Sequence, residues 1–348
     1  MMNIDFKELE RRAGIHFMGV QPMALDTNIS YDLNLAMDAQ PALVTTGNSG
    51  IPAFLSTFID PKIIEVLVAP TKAVDAVGAE VKKGDWVTET AMFPVVEGTG
   101  VTTAYGDYSE GGATGVNTNF PQRQAYHYQV MTQWGERELE RAGLAKIDFA
   151  ARVNMVSVSN LMRRQNSTYI FGVSGLQNYG MLNDPLLPAS LTPATKAAGG
   201  VKWVNNGVPN ATALEVLKDV QSMYYALQSR LNGHISLDSD MTFILSPKVE
   251  VALTITNEFN VSVSDLLKKN YPNLKVETVP QYSTASGEQV QLVANNIDGQ
   301  RTWDCCFTEK LRAHPVVVGS SSFKQKKSQG TWGTVIYRPG AVQGMLGV

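Results

Sequence analysis

The stretch Trp134–Pro185, WGERELERAGLAKIDFAARVNMVSVSNLMRRQNSTYIFGVSGLQNYGMLNDP, decides the fold. Its opening predicts a short charged helix from Gly135 to Leu144. A long helix follows from Ile147 to Phe171, because Ile147, Ala150, Ala151, Val158, Leu161, Met162 and Tyr169 recur at the spacing of a buried helical face. Gly172 and Gly175 then break it. A second face carries Phe149, Val153 and Val156. The polar positions are Asn154, Ser157, Asn160, Gln165 and Asn166 where a free surface would carry Lys and Glu. At ~1.5 Å rise per residue the helix is long enough to cross a domain. It is expected to be a spine touched on several sides.

G-E-R-E-L-E-R ahead of this helix, Q-N-x-x-Y-I-F-G-V-x-G-L-Q-N at its end and G-M-L-N-D-P after it resemble the spine helix and following loop of tailed-bacteriophage major capsid proteins of the Hong Kong 97 type. I-D-P-K-x-I-E-V-L-x-A-P, from Ile59 to Pro70, is similar to one branch of the same family. The resemblance implies an α+β fold, divided into an N-terminal arm (1–50), the start of a P-domain (51–84), an extended E-loop hairpin (85–125), the P-domain with its spine helix (126–209), an A-domain (210–310) and strands returning to the P-domain (311–348). It further implies a non-enzymatic subunit without cofactors. Copies would form pentamers and hexamers of an icosahedral head, assembled in the host bacterial cytoplasm around double-stranded DNA that is contacted non-specifically. Scaffolding, portal and decoration proteins are the further partners it suggests. Contacts between subunits would fall on Trp86, Tyr105, Asp107, Tyr108, Asn117 and Phe120 of the hairpin and on Arg137, Glu138 and Arg141 of the charged helix.

Composition sets bounds that fit this. With 348 residues, 44% of them apolar, the chain holds a substantial core. Charged residues are 18%, below the roughly 25% of ordinary soluble proteins, as extensive subunit contact would favour. A net charge of −3 argues against a nucleic-acid reader, and Arg163-Arg164 and Lys324-Lys326-Lys327 read as solvated or salt-bridged faces. No apolar run is long enough to span a bilayer, and the N-terminus lacks a signal-peptide pattern, so a cytoplasmic chain is expected. Cys305 and Cys306 are neighbours and are expected to be reduced thiols on opposite sides of a strand.

Outward from the spine, residues 1–50 lack a clear period and are expected to form an arm along a neighbour. Asp60 with Pro61 opens a small helix that Pro70 stops. Trp86–Pro94 and Ala125–Trp134 read as strands that pair with each other. Between them lies a loop with Gly98, Gly100, Gly106, Gly111, Gly112 and Gly115, too long to be idle inside a compact domain. Leu182–Gly207 is a Pro- and Gly-punctuated connector. Asn210 is the expected N-cap of a helix to Leu231, followed by a buried strand at MTFILS (Met241–Ser246), a short helix opened by Pro247 and another capped by Ser262 or Ser264. Strands are then expected at Leu274–Val279, Val290–Ala294, Arg301–Phe307, Pro315–Val318 and Gly333–Tyr337.

Catalytic signals are thin. His16, His127, His234 and His314 are scattered and fit no metal motif. Gly47-Asn48-Ser49-Gly50 and Gly172-Val173-Ser174-Gly175 lack the final spaced glycine of a nucleophile elbow, and the second follows a helix where the elbow needs a strand. Glu136, Glu138 and Glu140 share a helix with Arg137 and Arg141 and are expected to pair with them. The glycines form neither G-x-G-x-x-G nor G-K-[ST]. Two other readings remain open on the residues alone: an encapsulin-like shell around protein cargo, and a soluble α/β enzyme with the Gly-rich loop as a lid.

Overall fold

The computed structural model describes residues 69–108, 110–144 and 148–348, all within the unit Pro61–Val348. The expected arm (1–50), the helix opened by Asp60 and residue Ile147 lie outside the described residues.

A five-residue helix α1 (Ala73–Val77) leads into β1 (Glu80–Lys82). Four short strands follow, β2 (Thr90–Met92), β3 (Val95–Gly100), β4 (Thr114–Asn119) and β5 (Gln122–Gln124). The long β6 (Tyr126–Gly135) runs into helices α2 (Glu136–Leu144) and α3 (Phe149–Phe171). A small hairpin, β7 (Val204–Asn205) with β8 (Val208–Pro209), precedes α4 (Ala213–Arg230). Beyond it come β9 (Met241–Leu245), the short α5 (Pro247–Glu250), α6 (Val263–Asn270), β10 (Leu274–Thr278), β11 (Ser283–Thr284) and β12 (Gly287–Ala294). A two-residue pair, β13 (Asn296–Ile297) and β14 (Gln300–Arg301), leads to the long β15 (Trp303–Val318) and β16 (Ser322–Ile336), and β17 (Val342–Leu346) follows.

Two principal sheets result. The first has the order β1-β15-β16-β6, and α3 packs against β16 and β6. The second is built on β9 and β12: β10 lies parallel to β9, while β9 and β17 flank β12 in antiparallel fashion. Alternation explains why β9 is buried throughout. Met241, Phe243 and Leu245 join Val216, Val220, Met223 and Leu227 of α4 in one core, whereas Ile244 faces a second core shared with Tyr169 and Ile170 of α3, Trp303 and Cys305. Cys306 points the other way, into a third cluster with Trp332 and Val335. Both cysteines are buried free thiols, on the opposite faces that neighbouring strand residues must occupy.

Helix α3 starts where Asp148 accepts a hydrogen bond from the Ala151 N–H and ends at Gly172. Its burial departs from the expected stripe. Leu161, Tyr169 and Ile170 are core, but Ala151, Met155, Val156 and Met162 are exposed, and Ser157, Gln165, Asn166 and Thr168 are buried. The reason is a set of polar contacts across the helix. Gln165 donates to Tyr169 Oη at 2.6 Å and accepts from Gln329 of β16, Tyr169 donates to Glu80 of β1 at 3.0 Å, and Asn166 accepts from the Ala73 N–H of α1 at 2.9 Å. The Asn, Ser and Gln of the spine are how it is gripped.

Four expectations are corrected. Trp86–Pro94 does not form a ladder with Ala125–Trp134: its Thr90–Met92 pairs with Gln122–Gln124 just before that strand, because β6 is taken by β16 in unbroken register from Gly135 opposite Ser322 to Tyr126 opposite Thr331. The N-cap of α4 is Thr212, in a capping box with Glu215, while Asn210 donates to the carbonyls of Gly199 and Lys202. A division at 310/311 does not separate the sheets, since β15 begins at Trp303 in the first and β17 belongs to the second. Lys327 is neither solvated nor salt-bridged. Its ammonium is buried against Ser157 Oγ at 2.6 Å and Asn154 Oδ1 at 2.8 Å, and burial lowers its pKa. The connector 182–207 is also firmer than its prolines suggest, for Lys196 forms a buried ion pair with Asp219 of α4 and Trp203 Nε1 donates to the same carboxylate at 2.6 Å.

Candidate assembly surfaces

The hairpin begins from a tightly held base. Beyond the β2–β5 pair, Ala125 N donates to Glu89 O at 2.9 Å and Phe93 N to Pro121 O at 3.1 Å. Arg123 of β5 forms an ion pair with Asp184 at 2.5 Å, both side chains buried, and lies over the Tyr179 ring at 4.6 Å. Asn178 donates to the carbonyls of Gln124 (3.0 Å) and Thr331 (3.1 Å), tying β5 to β16. The loop after α3 thus exists to hold the hairpin. Asn183 accepts from Gly180 N at 2.8 Å, and Gly172, at φ +65°, sits where a Cβ would overlap the Asn178 carbonyl oxygen. The predicted helix-breaking turn at Gly172–Gly175 is this clasp, closed by a bridge between Val173 and Asn178.

Above the base the situation reverses. β3 pairs with β4 from Val95 opposite Asn119 to Gly100 opposite Thr114, and every described residue from Pro94 to Phe120 is exposed. Val95, Val96, Val101, Val116 and Phe120 offer apolar surface to solvent, and Tyr105 and Tyr108 are 92% and 102% exposed. A lone two-stranded ribbon is marginal in water, and exposed apolar surface of this extent marks a docking surface.

The residues singled out from sequence fall in three places. Tyr105, Asp107, Tyr108, Asn117 and Phe120 lie on the free part of the hairpin. Trp86 does not: it is half-buried, edge-on to His127 with ring centroids 4.6 Å apart and covered by Arg312 at 5.5 Å. Arg137 and Glu138 line an open cavity of ≈ 890 Å³ with Trp134, Ser321 and Ser322, and Arg141 lies exposed on the same helix. The ion pairs expected within α2 do not form among the described residues, and Glu138 instead accepts from Gly135 N at 3.2 Å. Sequence reasoning missed the outer end of β15, where Leu311, Val316, Val317 and Val318 are exposed. The run VVVG at 316–319 was its signal. It also missed a groove of ≈ 610 Å³ along α3, lined by Met155, Val158 and Met162 with Ala69 and Pro70.

Among the described residues no group of three or more His, Cys, Asp or Glu is placed to hold a metal, and no helix is long and apolar enough to cross a membrane.

A family model described as the Pa193 gp26 major capsid protein matches residues 42–347. The chain belongs to this major capsid protein family. Its role is structural, as a component of the virion capsid. No curated protein matches the chain. Solved structures agree on the fold. The capsid of Myoviridae phage XM1 superposes with a TM-score of 0.71 at 12% identity, covering 87% of this chain and 100% of that one. The capsid of the native GTA particle gives 0.57 at 10% identity, over 89% and 100% of the chains. A structure from Mycobacterium phage Ogopogo gives 0.54 at 9% identity, over 86% and 100%. The capsid fold is therefore retained here at very low sequence identity.

Proposed function

We propose that this capsid subunit self-assembles as pentamers and hexamers into the icosahedral head that encloses phage double-stranded DNA, and that the hairpin 85–125 is the clamp each copy lays on a neighbour. In this reading the hairpin is the E-loop, the first sheet with α3 the P-domain, and the second sheet with α4 the A-domain gathered at capsomer axes. Residues 1–50 add an arm contact. The observation that carries it is the contrast between a hairpin base fixed by a buried ion pair and a ribbon exposed at every described residue from Pro94 to Phe120. Such a ribbon does nothing for its own copy. Tyr105, Asp107, Tyr108, Asn117 and Phe120 are the contact residues on the hairpin, and Arg137, Glu138 and Arg141 those on α2. Summed over several neighbours, each copy buries far more than the ~1,600 Å² of a standard pairwise interface, so individual contacts are weak and reversible. The subunit has no enzymatic role. Assembly takes place in the host bacterial cytoplasm, with scaffolding, portal and decoration proteins as further partners.

The test is deletion of Thr99–Gly115, read by size-exclusion chromatography, circular dichroism and negative-stain microscopy. The expected product is a folded, soluble subunit that forms no shells. Normal shells from the deletion would refute the clamp.

A further inference from the structure

Lys327 of β16 is only 5% exposed, yet every acceptor around its ammonium is neutral. It donates to Ser157 Oγ at 2.6 Å, to Asn154 Oδ1 at 2.8 Å and to the Asn154 carbonyl at 3.3 Å. Lys196, the other buried lysine among the described residues, has Asp219. Burying a cation without a carboxylate is costly, and burial lowers the Lys327 pKa with no described carboxylate to oppose it. Arg163 of α3 has a similar deficit. Its Nη2 donates to Asn160 Oδ1 at 2.8 Å, but its buried Nε has no partner among the described residues. Lys327 and Arg163 line the same groove of ≈ 610 Å³ along α3.

The rest of that groove is apolar. Met155, Val158 and Met162 follow one stripe of α3, and Met155 and Met162 are 57% and 49% exposed. At ~1.5 Å per residue the stripe is about 10 Å long. The chain itself arrives at the groove's edge, since Ala69 and Pro70 line it, and the bond from Ala73 N to Asn166 Oδ1 brings it in from the Asn166 end of α3. Immediately before Ala69 stands P-K-I-I-E-V-L-V, Pro61–Val68, in which Glu65 is the only acid. As the helix that its sequence predicts, this segment would be about 12 Å long, matching the stripe. Its Ile63, Ile64, Leu67 and Val68 form one apolar face. Glu65, at i−4 from Ala69 and i−3 from Val68, shares the side of Ala69, which already faces the groove.

We propose that Pro61–Val68 lies in the groove along α3 of its own chain and that Glu65 supplies the carboxylate that Lys327 lacks. The inference is independent of the hairpin clamp. Ile64, Leu67 and Val68 cover Met155, Val158 and Met162, and Glu65 closes on the Lys327 ammonium at the rim of that apolar contact. Three residues separate Glu65 from Ala69 at the groove's edge, so the chain's own segment is present there at high effective concentration, and a neighbour's copy would first have to displace it. The apolar walls disfavour a hydrated anion such as phosphate. The pair would join the segment ahead of α1 to β16 across the spine helix, holding α3 from a further side.

The experiment compares three full-length variants with the native chain, Glu65→Gln, Lys327→Met and the two together, by urea unfolding followed with circular dichroism. Each single change is expected to raise the unfolding equilibrium constant about tenfold or more, and the double change to raise it by clearly less than the product of the two, the mark of a direct pair. Strictly multiplicative effects would overturn the pairing. Placement is read separately from Ile64→Cys/Val158→Cys, in a chain whose native thiols are both buried. Mild oxidation is expected to close a disulfide within one chain, seen as a faster-running monomer band on non-reducing gels. A band at twice the mass would assign the groove to a neighbour's segment, and no cross-link at all would leave the groove without this occupant; either result overturns the proposal. Because that chain keeps Lys327, the placement test holds even where Lys327→Met fails to fold.

Discussion

Arg123 donates from Nη2 to Oδ2 of Asp184 at 2.5 Å, and neither side chain has meaningful access to water. The pair joins strand β5 to the loop that follows α3, residues 61 positions apart, so the hairpin's angle on the subunit depends on it. Removing one partner leaves the other charge buried and unpaired. Arg123→Ala is therefore expected to cost about 3 kcal/mol of stability, seen as a lowered denaturation midpoint. Hydrogen exchange should rise at residues 86–93 and 122–125 before it rises in the second sheet. Equal loss of protection everywhere would mean that the pair supports the whole fold and not the hairpin base.

Gly333 lies at φ +75°, and a Cβ there would overlap the Tyr179 carbonyl oxygen. Gly333→Ala is expected to destabilise by roughly 2 kcal/mol or more, because strain and overlap act together. Gly98, with open space at its Cβ, is the control. Gly98→Ala should leave the urea midpoint unchanged.

Asp219 accepts both the Lys196 ammonium and the Trp203 indole N–H in a dry site. Asp219→Ala should cost about 3 kcal/mol and free the connector. The readout is limited trypsin digestion: Lys196 is buried in the native chain and should become a cleavage site in the variant.

Burial pushes the Cys306 thiol up to about 11 from an ordinary 9.0. A raised folded-state pKa means that the neutral thiol's contribution is complete below pH 9 and is lost as pH rises towards 11. Over that window the native chain should lose up to roughly 1.4 kcal/mol per pH unit more than Cys306→Ala. Denaturant midpoints measured for both chains between pH 8 and 11 give the difference directly. Parallel curves would show that the thiol does not feel its burial.

Tyr105 and Tyr108 are almost fully exposed on the hairpin. The double change Tyr105→Ser/Tyr108→Ser should leave the melting temperature of the isolated subunit within error, yet raise the protein concentration at which particles first form. Light scattering against concentration measures it.

The parts of this structure that were legible from sequence are those fixed locally. Gly172 and the rhythm of Leu161 and Tyr169 define the spine within two residues of its true start, and the β-forming run Met241–Leu245, broken only by Thr242, announces a buried strand. What sequence hid was set by distance. Nothing near Tyr126 shows that its strand partner lies at Thr331, and nothing near Trp86 shows that His127 and Arg312 enclose it. Helical periodicity also misjudges α3. It assumes that buried means apolar, whereas Gln165 and Asn166 are buried because β16 and α1 supply their hydrogen bonds. The candidate surface was half-visible for the same reason: the length and glycines of 98–115 draw attention without any partner, but the groove formed by Met155, Met162 and Lys327 exists only once α3 and β16 have met.

One strand carries an implication for timing. β17, at residues 342–346, fills the edge of β12, although the whole β15–β16 excursion separates the two in the chain. During synthesis β12 therefore leaves the ribosome with one side bare, and stays so until some fifty further residues have been made. Bare strand edges pair readily with other chains, so a nascent subunit is open to errant association at β12 until β17 covers it. Closure of that edge therefore comes last: only a chain translated as far as β17 has the strand that covers the open side of β12.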